Sequence, residues 1–77
     1  MSIKRGNKLK ILVAERLKEL MKETNLTQYA LAKAIGVRQS NVSEWLSQKK
    51  EPSIKSLWLL ADFFDVEIDF LIGRRSY

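Results

Sequence analysis

LTQYALAKAIGVRQSNVSEW, residues 26–45, is the stretch that decides the fold. It holds two short amphipathic segments on either side of Gly36-Val37. Thr27 is a good N-cap for the first, and Leu26 before it can staple onto Leu31 inside. Leu31, Ala34 and Ile35 are expected to face inward, with Ala32 small where two helices approach closely. Gly36 supplies a positive φ at no steric cost, so it ends one helix and turns the chain. The next helix is predicted over 39–47, with Val37 stapling onto Val42 and Trp45 following on the same side. Gln39, Ser40, Ser43 and Glu44 are left outward. Arg38 holds the N-cap position, where it caps poorly.

Outward from that stretch, the pattern stays helical. A first helix is expected over about 9–24, with Leu9, Val13, Leu17, Leu20 and Thr24 on one stripe. Asn7, after the breaker Gly6, is its expected N-cap, and residues 1–8 read as a flexible basic arm. Past the polar connection 48–52, Ser53 is a natural cap for a fourth helix. Its stripe is Ile54, Leu57, Leu60, Ala61 and Phe64, widened by Trp58, which is expected in the core with Trp45. Asp65-Val66 breaks that helix. A short last helix is expected over 67–72, with Ile68 and Leu71 inward and Gly73 as its stop. Residues 9–73 thus form one five-helix domain, and 74–77 a frayed tail. No alternating strand pattern interrupts this, so the chain reads as all-α.

Composition narrows the chemistry. With 77 residues the chain is one domain, and one of this size buries only about 60 % of its unfolded surface. It contains no cysteine and no histidine. That excludes disulfides, thiol nucleophiles, Cys- or His-based zinc sites and a histidine general base. With no glycine-rich phosphate loop either, an enzyme is not expected, nor a metal or cofactor. Charges interrupt every apolar stretch, so neither a membrane span nor a secretory signal is expected, and the cytoplasm is the expected location. Net charge is +5, unevenly spread. Lys4, Arg5, Lys8, Lys10, Arg16, Lys18 and Lys22 face only Glu15 and Glu19 in the first 22 residues, whereas Asp62, Asp65, Glu67 and Asp69 cluster late. A basic half turned toward a polyanion is one reading, and a solvated lysine-rich surface is the other.

Two short helices about a tight turn, the second lined with small polar residues, can hold one helix across a duplex and the next in its major groove. At this point the chain resembles the Cro and lambda-type repressors, the XRE-like helix-turn-helix family. The resemblance covers roughly residues 12–72 and rests on an ordered set. Leu17, Leu20, Leu26-Thr27-Gln28, Leu31-Ala32, Gly36-Val37, Val42 and Trp45 begin it; Pro52-Ser53, Leu57, Leu60-Ala61, Phe64, Val66 and Leu71 continue it.

That resemblance implies a lambda-repressor-like domain with its helix-turn-helix at about 27–47, reading double-stranded DNA as a transcriptional regulator, a repressor by type. By position, Gln39 and Ser40 would reach base edges, with Ser43 and Glu44 one turn on. Gln28, Asn41, Lys49 and Lys50 would meet phosphates, and Arg38 could do either. Each has a plainer reading as a solvated helix or loop residue. Such regulators bind palindromic operators as two-fold dimers. Leu59, Phe63, Phe70 and Tyr77 offer an apolar patch for a homodimer, or else complete a small core. The alternative role is an antitoxin or protein-holding module, for which a protein partner would be needed. Three positions depart from the family pattern. Met21 and Leu46 stand where an Arg–Glu pair is common and are expected to pack together instead. Gln48 stands where Gly is common, and the basic segment 3–10 extends beyond the motif as a DNA-reaching arm or a solubilising tail.

Overall fold

The computed structural model describes residues 11–76. Among them the chain forms five α-helices and no strand: α1 (Val13–Glu23), α2 (Gln28–Ile35), α3 (Gln39–Leu46), α4 (Ile54–Phe64) and α5 (Ile68–Ile72). α2 packs on α3, α1 lies against α3 and α5, and α4 packs on α5 and α2. The centre is simple. Leu17, Leu31, Val42, Leu60 and Leu71 are the largest fully buried side chains, one from each helix. No polar or charged side chain is buried among the described residues, so the core carries no hydrogen-bonding debt.

Two of the five helices, α2 and α4, start on a side-chain cap. The hydroxyl of Thr27 accepts from the Ala30 amide at 3.0 Å, and that of Ser53 from the Ser56 amide at 3.1 Å. Each such cap contributes about 0.5–2 kcal/mol. Arg38 caps α3 through no side-chain bond, in keeping with its residue type. α1 also lacks a side-chain cap, and it begins at Val13 rather than near 9. Ile11 and Leu12 are not helical, and Leu12 sits at the cap without a side-chain bond. Its amide instead donates to the Ile72 carbonyl at 3.0 Å, so a tertiary pairing with the end of α5 sets the start. Asn7, Gly6 and Leu9 lie outside the described residues.

All five helices stop alike, on a left-handed residue: Asn25, Gly36, Gln48, Asp65 and Gly73, with φ of 56°, 79°, 66°, 56° and 98°. The amide of the following residue then reaches back to satisfy an orphan carbonyl of the last turn. Leu26 donates to Met21, Val37 to Ala32, Lys49 to Glu44, Val66 to Ala61 and Arg74 to Asp69, all at 2.8–3.0 Å. Only two of the five are glycine. Gln48 therefore follows the path a glycine would take, at a local cost of about 1–2 kcal/mol.

Four side chains depart from the expected faces. Ala34 is exposed, because the inward side of α2 is Leu31, Ala32 and Ile35. Thr24 is exposed as well and closes α1, its hydroxyl donating to the Leu20 carbonyl at 2.8 Å. Ile54 and Trp58 lie outside the core at 84% and 67% exposure. α4 is apolar on nearly every side, and its inward line runs instead through Leu57, Leu60, Ala61 and Phe64. Trp45 is buried as expected. Met21 is buried in the core cluster and Leu46 is half-buried against that same cluster, so both positions are apolar.

Arg16 has a role its sequence position concealed. Its Nε donates to the Phe70 carbonyl at 3.1 Å and its Nη2 to the Arg75 carbonyl at 3.2 Å. The guanidinium also lies 4.7 Å from the Phe70 ring centroid, a cation–π distance. Arg75 itself reaches Glu67 at 3.6 Å and Asp69 at 3.8 Å. These contacts tie Arg75 back to α1 and α5, while Tyr77 lies outside the described residues.

Candidate nucleic-acid interface

α3 divides cleanly into two faces. Val42 and Trp45 are buried and hold it against the domain. Gln39, Ser40 and Ser43 are exposed, and Glu44 is half-buried at their edge. At about 100° per residue these four positions fill one continuous arc, opposite the two core anchors. Ser40 and Ser43 keep the middle of that arc slim, in a size that suits a groove about 12 Å wide. Among the described residues none of these four forms a side-chain hydrogen bond or ion pair. Their donors and acceptors remain free for a ligand.

The turn at Gly36 sets where that face points. The amides of both Gly36 and Val37 donate to the Ala32 carbonyl at 2.9 Å, which closes α2 and redirects the chain within three residues of α3. Gln28 opens α2 half-buried, beside amides whose partial positive charge favours an anion. Beyond α3, the amides of Lys49 and Lys50 both donate to the Glu44 carbonyl, at 3.0 and 3.3 Å. The left-handed Gln48 makes this possible, and it fixes the two lysines just past the exposed arc. Arg38 is exposed at the other end, and Asn41 is half-buried, its amide donating to the Arg38 carbonyl at 3.0 Å. Along the chain, Arg38 precedes the α3 arc and Lys49 and Lys50 follow it, with the Glu44 carboxylate beside the neutral Gln39, Ser40 and Ser43.

The dimer candidates are less uniform. Phe63 is 43% exposed and stacks edge-on to Phe64 at 5.0 Å. Leu59 and Phe70 are half-buried against the core, and Phe70 is further covered by Arg16. The most exposed large apolar side chains on α4 are instead Ile54 and Trp58, neighbours one turn apart. Sequence reasoning also passed over Tyr29 and Lys33 on the outer side of α2; an aromatic two places after the Thr27 cap, opposite the Leu31–Ile35 line, was the available signal. The basic residues 1–10 lie outside the described part, and Arg16 spends its charge within the fold, which leaves Lys18 and Lys22 exposed on α1. Among the described residues no group of acidic side chains could hold a metal ion, and no helix is long and apolar enough to cross a membrane.

Five short helices with a polar, unpaired face on the third define a helix-turn-helix domain of the nucleic-acid-binding kind. A family model described as helix-turn-helix matches residues 17–71, and the chain belongs to that family in its Cro/lambda-repressor-like, XRE-type form, one of transcriptional regulators rather than enzymes. It is 34% identical over 59 residues to the HTH-type transcriptional regulator YobD of Bacillus subtilis, covering 77% of this chain and 53% of that one. It is 40% identical over 62 residues to the HTH-type transcriptional activator BcrR of Enterococcus faecalis, covering 80% of this chain and 30% of that one. The chain therefore spans about half or less of these relatives' length. Among solved structures, the P22 c2 repressor in complex with a synthetic operator superposes with a TM-score of 0.76 at 26% identity, over 90% of this chain and 100% of that one.

Proposed function

We propose that this chain binds a specific double-stranded DNA sequence by inserting α3 into the major groove, and that it regulates transcription there as a repressor. The observation that carries this reading is the exposed, unpaired arc of Gln39, Ser40, Ser43 and Glu44 on a helix anchored by Val42 and Trp45. In the docked arrangement Gln39 pairs with adenine through N6 and N7, Ser40 and Ser43 contact neighbouring edges, and Glu44 accepts from cytosine N4. Gln28, Arg38, Asn41, Lys49 and Lys50 grip the backbone on either side. Two copies bind a palindrome through the α4–α5 end, with Phe63 as the exposed anchor and Leu59 and Phe70 contributing.

Selection from random duplexes, read at low and near-physiological salt, tests this directly. Enrichment of a palindrome is expected. Gln39→Ala should relax one base position at a cost of about 1–3 kcal/mol. Equal losses on selected and random DNA would remove Gln39 as a base reader, and no enrichment at either salt would remove the central claim.

One observation favours a second role, that of a module holding another protein. Ile54 and Trp58 form an apolar face that the fold leaves uncovered. A chain that stays monomeric on its operator, and associates only when a partner protein is added, would support this role over the homodimer.

A further inference from the structure

Tyr29 and Lys33 stand one turn apart on the outer side of α2. Tyr29 is 60% exposed, and the Lys33 ammonium lies 5.9 Å over its ring centroid. Together with Ala32 and Val37 they line an open groove whose other wall is Gln39, at the head of α3. The groove therefore runs from the first turn of α2 to the first turn of the helix that carries the base-reading arc. Its lining holds a phenol, an ammonium, a side-chain amide and no carboxylate. The grooves beside Trp58 and Phe70 differ, since Asp62 and Asp65 rim the first, and Glu23, Asp65 and Glu67 the second. A phosphodiester offers only acceptors and negative charge, so it matches the α2–α3 groove and is repelled by the other two.

We propose that this groove is a DNA-backbone site, one phosphate beyond the one met by Gln28. The Tyr29 hydroxyl donates to a phosphate oxygen, and Lys33 supplies the charge. The ring beneath the ammonium keeps that charge near the site before DNA arrives, which reduces the ordering needed on binding. The inference rests on the reading of α3 as the groove-inserted helix: with Gln39 at a base edge, the groove that Gln39 walls lies over the flanking strand.

The test uses Tyr29→Phe and Lys33→Gln in the whole chain. Both sites are exposed, so circular dichroism and thermal unfolding should match the parent. Binding to the selected duplex is measured across a salt series, with phosphate-ethylation interference on the same duplex. Lys33→Gln should lower the slope of log K against log salt by about 0.9. Tyr29→Phe keeps the ring and loses the hydroxyl, and should weaken selected and random duplexes alike, by about fivefold for one hydrogen bond. In both variants interference should vanish at one shared phosphate, distinct from the one lost in Gln28→Ala. Unchanged slope and interference in both variants, with the parent still selecting its operator, would overturn this proposal alone. A changed base preference would also overturn it, by placing the pair on base edges. If the parent enriches no duplex, the DNA-binding reading falls first and takes this site with it.

Discussion

Gly36 and Gly73 both end helices with a positive φ, yet replacing each by alanine should have different consequences. At Gly36, with φ of 79°, a Cβ would meet nothing within 4 Å. The only penalty is the left-handed backbone, about 1–2 kcal/mol. At Gly73, with φ of 98°, a Cβ would fall 2.7 Å from Leu12 Cγ and 2.9 Å from Leu12 Cβ. Leu12 cannot simply swing aside, because its amide is bonded to the Ile72 carbonyl at 3.0 Å. Overpacking of this kind adds about 1–3 kcal/mol to the same backbone strain. Gly36→Ala is therefore expected to cost about 1–2 kcal/mol and Gly73→Ala about 2–5 kcal/mol. In a domain of this size each kcal/mol lowers Tm by about 4–8 °C, so the two variants should separate clearly in urea titration and in thermal melts. Asparagine at position 36 tolerates the left-handed region and should recover much of the loss. Equal destabilisation by the two alanines would refute the reasoning, since it would show that Gly36 is needed for space and not for backbone handedness.

Other outcomes follow from the same geometry. Gln48→Gly relieves a left-handed glutamine and should stabilise the domain, by up to about 1 kcal/mol after the entropy of the freer unfolded chain is counted; a loss of stability in chemical denaturation would contradict the strain assigned there. Arg16→Ala removes bonds to two carbonyls of the C-terminal segment and should cost about 1.5–3 kcal/mol, whereas Glu19→Gln, at an exposed pair 3.9 Å long, should change little. Arg16→Lys cannot reproduce the fork and should fall between them, so a lysine as good as arginine would count against the paired-carbonyl account. Leu46→Ala should cost about 1–2 kcal/mol as a half-buried leucine at the α1–α3 contact, and unchanged unfolding would sink the idea that it and Met21 stand in for an ion pair.

Much of this fold was legible in the chain because its signals are local. Thr27, Ser53, Gly36 and Gly73 act through their own backbone and near neighbours, and each does what its residue type implies. Asn25 carries the same left-handed stop without a glycine to announce it, although asparagine is enriched there. What escaped is what depends on distant chain. Periodicity cannot choose a face for α4, whose apolar residues nearly surround it; it puts Ile54 and Trp58 inward, whereas packing against α5 and α2 turns them out. The start of α1 likewise depends on Ile72, and the work of Arg16 on Phe70 and Arg75, each more than fifty residues away. For the candidate site, the α3 arc could be read from spacing alone, since Val42 and Trp45 fix the opposite side. Tyr29 could not, because its significance lies in a groove shared with Gln39 on another helix.

The five core side chains, one per helix, bear on how such a domain can change. Leu17, Leu31, Val42, Leu60 and Leu71 belong to one buried cluster, so the helices that carry them are expected to open together. Hydrogen exchange of the central amides of α3 and α5 should therefore report one shared opening event, even though α4 separates the two helices in sequence. None of those five residues belongs to the outer arc of α3. On the proposed reading of the arc, substitutions at Gln39, Ser40 and Ser43 alter what is recognised while leaving the unfolding equilibrium nearly untouched, and ligand preference drifts without first passing through an unstable intermediate.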